Sequence, residues 1–325
     1  MKKSYIMTII FLTVSIIIPF FSSSFMLHIL NLAIINIILA SGLNILLGYT
    51  GEFPLCQAAF FGLGAYCTAL LSTNLNLSFI LSLFLTIIFL ILFSFLAGLI
   101  LCRVTAQVFV LMSLSFQNVI YILVLKLINI TNGPNGIVGI PFPRFYIPLI
   151  GEIQIKSLIS NYFFMLIFLL SVLYIVNRIF HSNLGNTLMA IRESHSLSRS
   201  IGINIYKYKI ISFMFMALIS GVAGILYAHY IGLISPAIIT FQYSLLPLIM
   251  VALGGYGNLS GPIIGAIFMT LIPEYLRMIS PFFSQYRLVV LGMILIFCVF
   301  SLPKGLIGLV DTSVIRKLQK YGGNL

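Results

Sequence analysis

Residues 79–101 read FILSLFLTIIFLILFSFLAGLIL, a long run without a single charge. A membrane span needs about 20 mostly apolar residues, so this run is long enough to cross a bilayer. Backbone polar groups find no water in lipid, and a helix pairs them within the segment. The run also lacks the alternation of a β-barrel strand. It therefore predicts a transmembrane α-helix.

The rest of the chain has the same character. Of the 325 residues, 61% are apolar and 7% are charged, which excludes a soluble domain. We predict an all-α polytopic bundle that forms one transmembrane domain over residues 1–325. The first run follows Met1-Lys2-Lys3 and is long for a signal peptide, so we interpret it as an uncleaved span. The ten predicted spans are Tyr5–Phe21, Leu27–Leu47, Leu55–Leu71, Phe79–Leu101, Ala106–Leu127, Tyr162–Phe180, Ile210–Ile231, Phe241–Leu253, Pro262–Leu276 and Leu288–Leu302.

The basic residues predict the orientation of these spans. With both termini in the cytoplasm, twelve basic residues fall on the cytoplasmic side: Lys2, Lys3, Arg103, Arg178, Arg192, Arg199, Lys207, Lys209, Lys304, Arg316, Lys317 and Lys320. Five fall outside: Lys126, Arg144, Lys156, Arg277 and Arg287. This is the positive-inside pattern, and it explains the net charge of +12 without a nucleic-acid partner.

Three connections carry turn-forming residues. The outer connection Asn129–Ser160 contains NGPNG and four prolines, which predict a structured external loop. Gly48–Gly51 (GYTG) and Gly254–Gly257 (GGYG) each follow an apolar helix, and the second ends a short eighth span. Both predict broken or half-inserted helices, which occur only where the backbone is buried in protein or lines water. They fit a repeated two-half fold or ordinary tight turns equally well.

The sequence disfavours ion coupling, nucleotide binding, catalysis and metal binding by this chain. Its acidic residues are few, and Glu52 and Glu274 are interpreted as interfacial, as is His229, so no ionisable pair for ion coupling is expected inside the membrane. The chain has no G-x-x-x-x-G-K-[ST] loop for a nucleotide and no cluster of nucleophile and base. The four cysteines lack metal-like spacing and are interpreted as packing residues: Cys56, Cys67, Cys102 and Cys298.

Uncharged polar residues do occur within the predicted spans. Asn36 and Asn44 fall near one face of the second span. Such groups either hold helices together or line a weakly binding path for a small polar solute. The full set is Asn31, Asn36, Asn44, Gln57, Gln107, Gln117, Asn118 and Gln242.

One polar interruption, residues 182–209, reads SNLGNTLMAIRESHSLSRSIGINIYKYK. Ser182 or Asn183 can cap a helix, apolar residues follow at helical spacing, and Gly202 suits the position after its end. We predict one amphipathic helix here. It either rests on anionic lipid or fits a groove of a cytoplasmic motor subunit.

In order and spacing, the following stretches resemble permease subunits of bacterial ABC importers of the branched-chain amino acid type, specifically the LivM-like subunit. They are Gly42–Gly51 (GLNILLGYTG), Gln57–Tyr66 (QAAFFGLGAY), Asn132–Pro141 (NGPNGIVGIP), Ala190–Glu193 (AIRE), Ser220–Tyr230 (SGVAGILYAHY), Ser235-Pro236, Val251–Gly265 (VALGGYGNLSGPIIG) and Pro303–Leu309 (PKGLIGL).

The resemblance implies a multi-subunit importer in the bacterial inner membrane. A second related permease subunit, two cytoplasmic ATPase subunits and an extracytoplasmic solute-binding protein are the implied partners, with ATP and Mg²⁺ held by the ATPases and no cofactor on this chain. Residues 182–209 become the cytoplasmic coupling segment with its helix at Ala190–Gly202, residues 129–160 the extracytoplasmic loop, and residues 303–325 the cytoplasmic tail.

The implied site residues form two sets. The coupling set is Ala190, Ile191, Arg192, Glu193, Leu197 and Gly202. The pathway and gate set is Asn44, Gly48, Tyr49, Gly51, Gln57, Gly254, Gly255 and Gly257.

Two departures from the family pattern qualify these assignments. Ser196-Leu197-Ser198 stand where such permeases often have Glu-Ala-Ala, and Gln57 stands where they usually have His. Transport of urea or short amides by the same machinery, and an autonomous channel for a neutral solute, are the alternative functions.

Overall fold

The computed structural model of the protein describes residues 15–147, 151–279, 292–293 and 305–306. It is almost entirely helical. The helices are α1 (Ser24–Asn44), α2 (Gln57–Thr73), α3 (Phe79–Leu101), α4 (Ala106–Lys126), the short α5 (Ile128–Thr131), α6 (Leu158–Phe180), α7 (Asn183–Glu193), α8 (His195–Ser200), α9 (Ile205–Ile231), α10 (Phe241–Gly254) and α11 (Ser260–Ile279).

These helices match the second to ninth predicted spans. Among the described residues, five segments are long and apolar enough to cross a membrane: Ser24–Thr50, Phe79–Leu101, Ala106–Lys126, Leu158–Phe180 and Ile205–Ile231. Helix α10 is apolar but shorter, as the sequence predicts. Residues 15–21 of the first predicted span are helical, and its remainder lies outside the described residues, as does the tenth span except for residues 292–293.

The connection Asn129–Ser160 is structured, as predicted. After α5 and a 3₁₀ turn (Gly133–Asn135) come the strands β1 (Ile137–Val138), β2 (Arg144–Ile147) and β3 (Gly151–Gln154). Strand β2 pairs antiparallel with β3, and β1 pairs antiparallel with β4 (Leu233–Ile234), which directly follows α9. The connection and the α7–α8 segment lie at opposite ends of α6, a separation of about 34 Å.

Helix α1 is the centre of the bundle. Ser23 caps it by accepting from the amide of Met26 at 3.3 Å, and most of its remaining surface is buried against α6, α9, α10 and α11. Asn36 and Asn44 share a face, as predicted. Asn36 donates to the Thr270 hydroxyl of α11 at 2.9 Å, and Asn44 reaches the segment just before α11.

Helices α2 and α9 pack most closely, and glycine allows it. A Cβ on Gly224 would overlap the carbonyl oxygen of Phe61, and one on Gly64 would overlap that of Gly221. Without a side chain at these positions the two backbones approach to contact, as small residues permit in membrane helices.

We expect Gly224→Ala to lower the free energy of unfolding by about 1–3 kcal/mol, the usual cost of overpacking a tight interface. Gly98→Ala, on α3, is the matched control, because its nearest contacts would be ordinary ones at 3.4 Å. Both are measured by denaturant unfolding in detergent micelles. Equal stability of the two variants would contradict the close α2–α9 packing.

The α3–α4 hairpin is the least buried part of the bundle. Both helices turn one row of residues inward, including Leu90 on α3 and Phe109 on α4, and leave most of their apolar surface exposed. An apolar surface of this size belongs against lipid or another subunit.

Candidate functional site

The two predicted helix breaks meet each other. Helix α1 passes into a π-helix at Ile45–Thr50 and stops at Gly51, while α10 stops at Gly254. The amide side chain of Asn44 joins the breaks: its Nδ2 donates to the Asn258 carbonyl at 2.8 Å, and its Oδ1 accepts from the Gly257 amide at 3.1 Å. π-Helical turns are uncommon and concentrate at functional sites.

Glycines are required where the breaks touch. A Cβ on Gly48 would overlap Asn44 Oδ1 and lie 2.8 Å from the Gly257 nitrogen, and one on Gly254 would overlap the Gly261 carbonyl. Gly51 and Gly255 have φ of +76° and +111°, which L-residues with side chains rarely adopt. The predicted interruptions are present at both segments, since a helix ends at each of them.

Arg192 connects the α7 helix to this contact. Its guanidinium donates to the carbonyl of Gly48, and its Cγ lies 3.1 Å from the position of a Cβ on Gly51. Leu188 and Ile191 fix α7 by burying their side chains completely. We call the cluster of Asn44, Gly48, Arg192, Gly257 and Asn258 the junction.

Aromatic packing supports the same region. Tyr49 stacks on Phe180 at the end of α6, with ring centroids 3.6 Å apart and planes 16° from parallel. Because α7 follows α6 after two residues, this contact fixes the start of the polar segment beside the π-helix. The predicted gate residues Asn44, Gly48, Tyr49, Gly51, Gly254, Gly255 and Gly257 therefore lie at or next to the junction.

The prediction of one helix through the polar segment is wrong. Ser182 caps α7 as predicted, but Ser194 adopts an extended conformation (φ −158°, ψ 114°) and its hydroxyl accepts from the amide of Leu197 to begin α8. Serine bonds readily to nearby backbone amides, which favours a cap over a continuous helix. Ala190 and Glu193 lie in the last turn of α7, and Gly202, at φ +84°, follows the end of α8, the position after a helix that the sequence predicts for it.

Helix α8 offers apolar side chains to solvent. Leu197 is 69% exposed, and Ile201, directly after the helix, is 73% exposed. Leu197 and Ile201 are four residues apart and together form a small exposed apolar surface on this polar segment.

Gln57 lies apart from the junction. It is buried at the start of α2, where its Nε2 donates to the Leu39 carbonyl of α1 at 2.7 Å and to the Ser220 hydroxyl of α9 at 3.0 Å. Nearby, the Ala58 amide donates to Ser244 Oγ at 2.9 Å, which brings the starts of α2 and α10 together. Because Leu39 lies well inside α1, both helices begin within the bundle rather than at its ends.

A buried ion pair was missed by the sequence reasoning. Glu52, interpreted as interfacial, is 2% exposed and forms a salt bridge with Lys209 in the second turn of α9. His229 is likewise buried, 3.1 Å from Thr68 and 2.8 Å from the Pro141 carbonyl. The signal for the ion pair was its position: Glu52 directly follows the Gly51 break, where the chain turns back into the bundle.

The family model described as branched-chain amino acid transport system / permease component matches residues 25–299. The chain belongs to this family. The match includes every residue of the junction and the whole α7–α8 segment.

Two relatives within the branched-chain permease family cover most of the chain. The high-affinity branched-chain amino acid transport system permease protein LivM of Escherichia coli K12 is 30% identical over 307 residues, 89% of this chain and 71% of the relative. LivM of Salmonella typhimurium is 29% identical over 324 residues, 94% of this chain and 75% of the relative.

A second type of permease is also similar. LivH of Escherichia coli K12, another high-affinity branched-chain amino acid transport system permease protein, is 30% identical over 129 residues, 39% of this chain and 41% of the relative. No solved structure matches.

Proposed function

We propose that this chain is the permease subunit of an ATP-driven importer and forms half of the translocation pathway for branched-chain amino acids by alternating access. Membership of the branched-chain permease family supports this, together with relatives named for that transport. The observation that carries the mechanism is the hydrogen bond from Arg192 of α7 to the Gly48 carbonyl at the helix break.

The subunit has ten spans, with both termini in the cytoplasm of a bacterium and the chain in its inner membrane. This chain is similar to LivM, and a second permease that is similar to LivH completes the pathway. Two cytoplasmic ATPases hold ATP and Mg²⁺, and an extracytoplasmic binding protein docks on the loop 129–160. The excess of basic residues on the α7–α8 side supports this orientation.

Energy enters the permease through α8. Leu197 and Ile201 insert into a groove of the ATPase, and α7 carries the displacement to the junction through Arg192. The two breaks at the junction form the gate: half-helices that end inside protein can separate without exposing an unpaired backbone to lipid. Gln57 contributes to the pathway deeper in the bundle, where it joins α1, α2 and α9.

We expect the double variant Leu197→Asp/Ile201→Asp to lose ATP-dependent leucine uptake, because a charge in an apolar contact must be desolvated without a partner. The assay is uptake of labelled leucine by proteoliposomes that contain the permease pair and the ATPases. Co-purification of the ATPases with the tagged permease is measured on the same samples and is expected to fall in parallel.

Leu75→Asp provides the matched control. Leu75 is 63% exposed and lies between α2 and α3, at the end of α2 remote from the junction. This variant is expected to keep normal uptake. Uptake by the double variant at the wild-type level would overturn the coupling role, and leucine uptake without any ATPase would favour the alternative of an autonomous facilitator. Uptake of urea or short amides in place of leucine would support the same ATP-driven importer with a different substrate.

A further inference from the structure

A basic cavity lies beside the coupling segment, outside the junction. It has a volume of about 520 Å³ and is formed where the α3–α4 turn faces α8 and the start of α9. The polar residues that line it are Arg103, Thr105, His195, Arg199, Tyr206 and Lys209. The mechanism proposed above uses none of these side chains.

The positive charge of this cavity is only partly balanced. Lys209 is paired with Glu52, but no carboxylate is among the described residues that line the cavity. Arg103 uses its Nε to donate to the Tyr206 hydroxyl at 3.3 Å, which orients the guanidinium and leaves its two terminal nitrogens for another acceptor. Arg199, in the last turn of α8, faces the same cavity.

The start of α4 adds further donors. Thr105 is the N-cap of this 21-residue helix but makes no side-chain capping bond, so the first-turn amides at the cavity edge lack that acceptor. The dipole of the helix also places partial positive charge there. Two guanidinium groups and a helix start around one cavity provide the ligands of a phosphate group.

The two helices joined by the α3–α4 turn expose apolar side chains, which favours a lipid as the source of the phosphate. Ile100, at the end of α3, is 63% exposed, and Leu111, in the second turn of α4, is 66% exposed. Acyl chains can lie along this face while the headgroup occupies the cavity. We propose that the cavity binds the phosphate of an anionic phospholipid from the cytoplasmic leaflet, as basic pockets between membrane helices do for other acidic lipids.

Native mass spectrometry of the full-length chain in detergent tests this proposal. The chain is titrated with phosphatidylglycerol or phosphatidylethanolamine of identical acyl chains. We expect phosphatidylglycerol to bind about 10-fold more tightly, and Arg103→Gln/Arg199→Gln to remove that preference, because each basic group near the surface adds to the attraction for anionic lipid. The control Arg178→Gln/Lys207→Gln removes the same charge from outside the cavity and is expected to keep the preference.

Inorganic phosphate is the probe for a free anion. We expect it to compete with phosphatidylglycerol only weakly, because it lacks the acyl chains that contribute to binding. Phosphatidylglycerol affinity of the cavity variant equal to wild type would overturn the proposal. The proposal would also be overturned if inorganic phosphate displaced phosphatidylglycerol at equal concentration, because the cavity would then bind a soluble anion. If the cavity variant no longer co-purified with the ATPases but kept its affinity for phosphatidylglycerol, the cavity would belong to the ATPase contact instead.

Discussion

Lys209→Met is expected to lower the free energy of unfolding by about 3–5 kcal/mol, because it leaves the Glu52 carboxylate buried without a counter-charge. The two side chains form a salt bridge and are 8% and 2% exposed for Lys209 and Glu52. A charge at this burial cannot recover its hydration, so removal of one partner costs far more than the pair contributes on balance.

The measurement is denaturant unfolding in detergent, followed by circular dichroism. The double variant Glu52→Gln/Lys209→Met removes both charges and is expected to regain most of the lost stability, so the two substitutions are strongly non-additive. Lys207→Met is the matched control. Lys207 is exposed two residues earlier on α9, and its loss is expected to change stability by less than about 0.5 kcal/mol. Equal effects of Lys207→Met and Lys209→Met would contradict the burial of the pair.

The position of this pair gives it a mechanical consequence. Glu52 follows the Gly51 break directly, and Lys209 lies on α9 shortly after the end of α8. The pair therefore holds the connection between α1 and α2 to α9, the helix that follows α8. Arg192 on α7 and Lys209 on α9 therefore contact the region of the same break from the two sides of α8.

The sequence predicts the helices well because their signal is local. A run such as Phe79–Leu101 must be helical in lipid whatever surrounds it, and the structure reproduces its predicted bounds. The breaks at Gly48–Gly51 and Gly254–Gly257 are predicted for the same reason, since the glycines mark positions that ordinary side chains cannot occupy.

Contacts between distant segments could not be predicted in this way. Glu52 and Lys209 lie far apart in the sequence, so although Glu52 directly follows the Gly51 break, nothing local identifies Lys209 as its partner. The division of the polar segment at Ser194 depended on which of several serines would cap a helix, and helical spacing alone favoured continuity. The contact between Arg192 and the Gly48 carbonyl could not be predicted either, because only the tertiary fold brings these distant residues together.

Gly48→Ala is expected to reduce ATP-driven leucine uptake by about 5- to 150-fold while ATP hydrolysis continues. The added methyl group would overlap Asn44 Oδ1 and approach the Gly257 nitrogen to 2.8 Å, so the bond between these two groups must break. Overpacking of this kind costs about 1–3 kcal/mol, and each 1.4 kcal/mol against one conformation changes its population about tenfold. Gly98→Ala is the control, since its contacts remain at ordinary distances, and it is expected to transport normally.

Arg192→Gln extends this test to the coupling step. It removes a charge-assisted bond to the Gly48 carbonyl, worth about 1.5–3 kcal/mol, without adding atoms to the junction. If α7 acts on the gate through that bond, Gly48→Ala and Arg192→Gln damage the same step, and the double variant transports about as well as the worse single variant. Effects that multiply would mean that the two residues act independently, and the path from α8 through Arg192 to the breaks would be wrong. Uptake and ATP hydrolysis are measured on the same proteoliposomes, because only a loss of coupling lowers uptake while ATP hydrolysis continues.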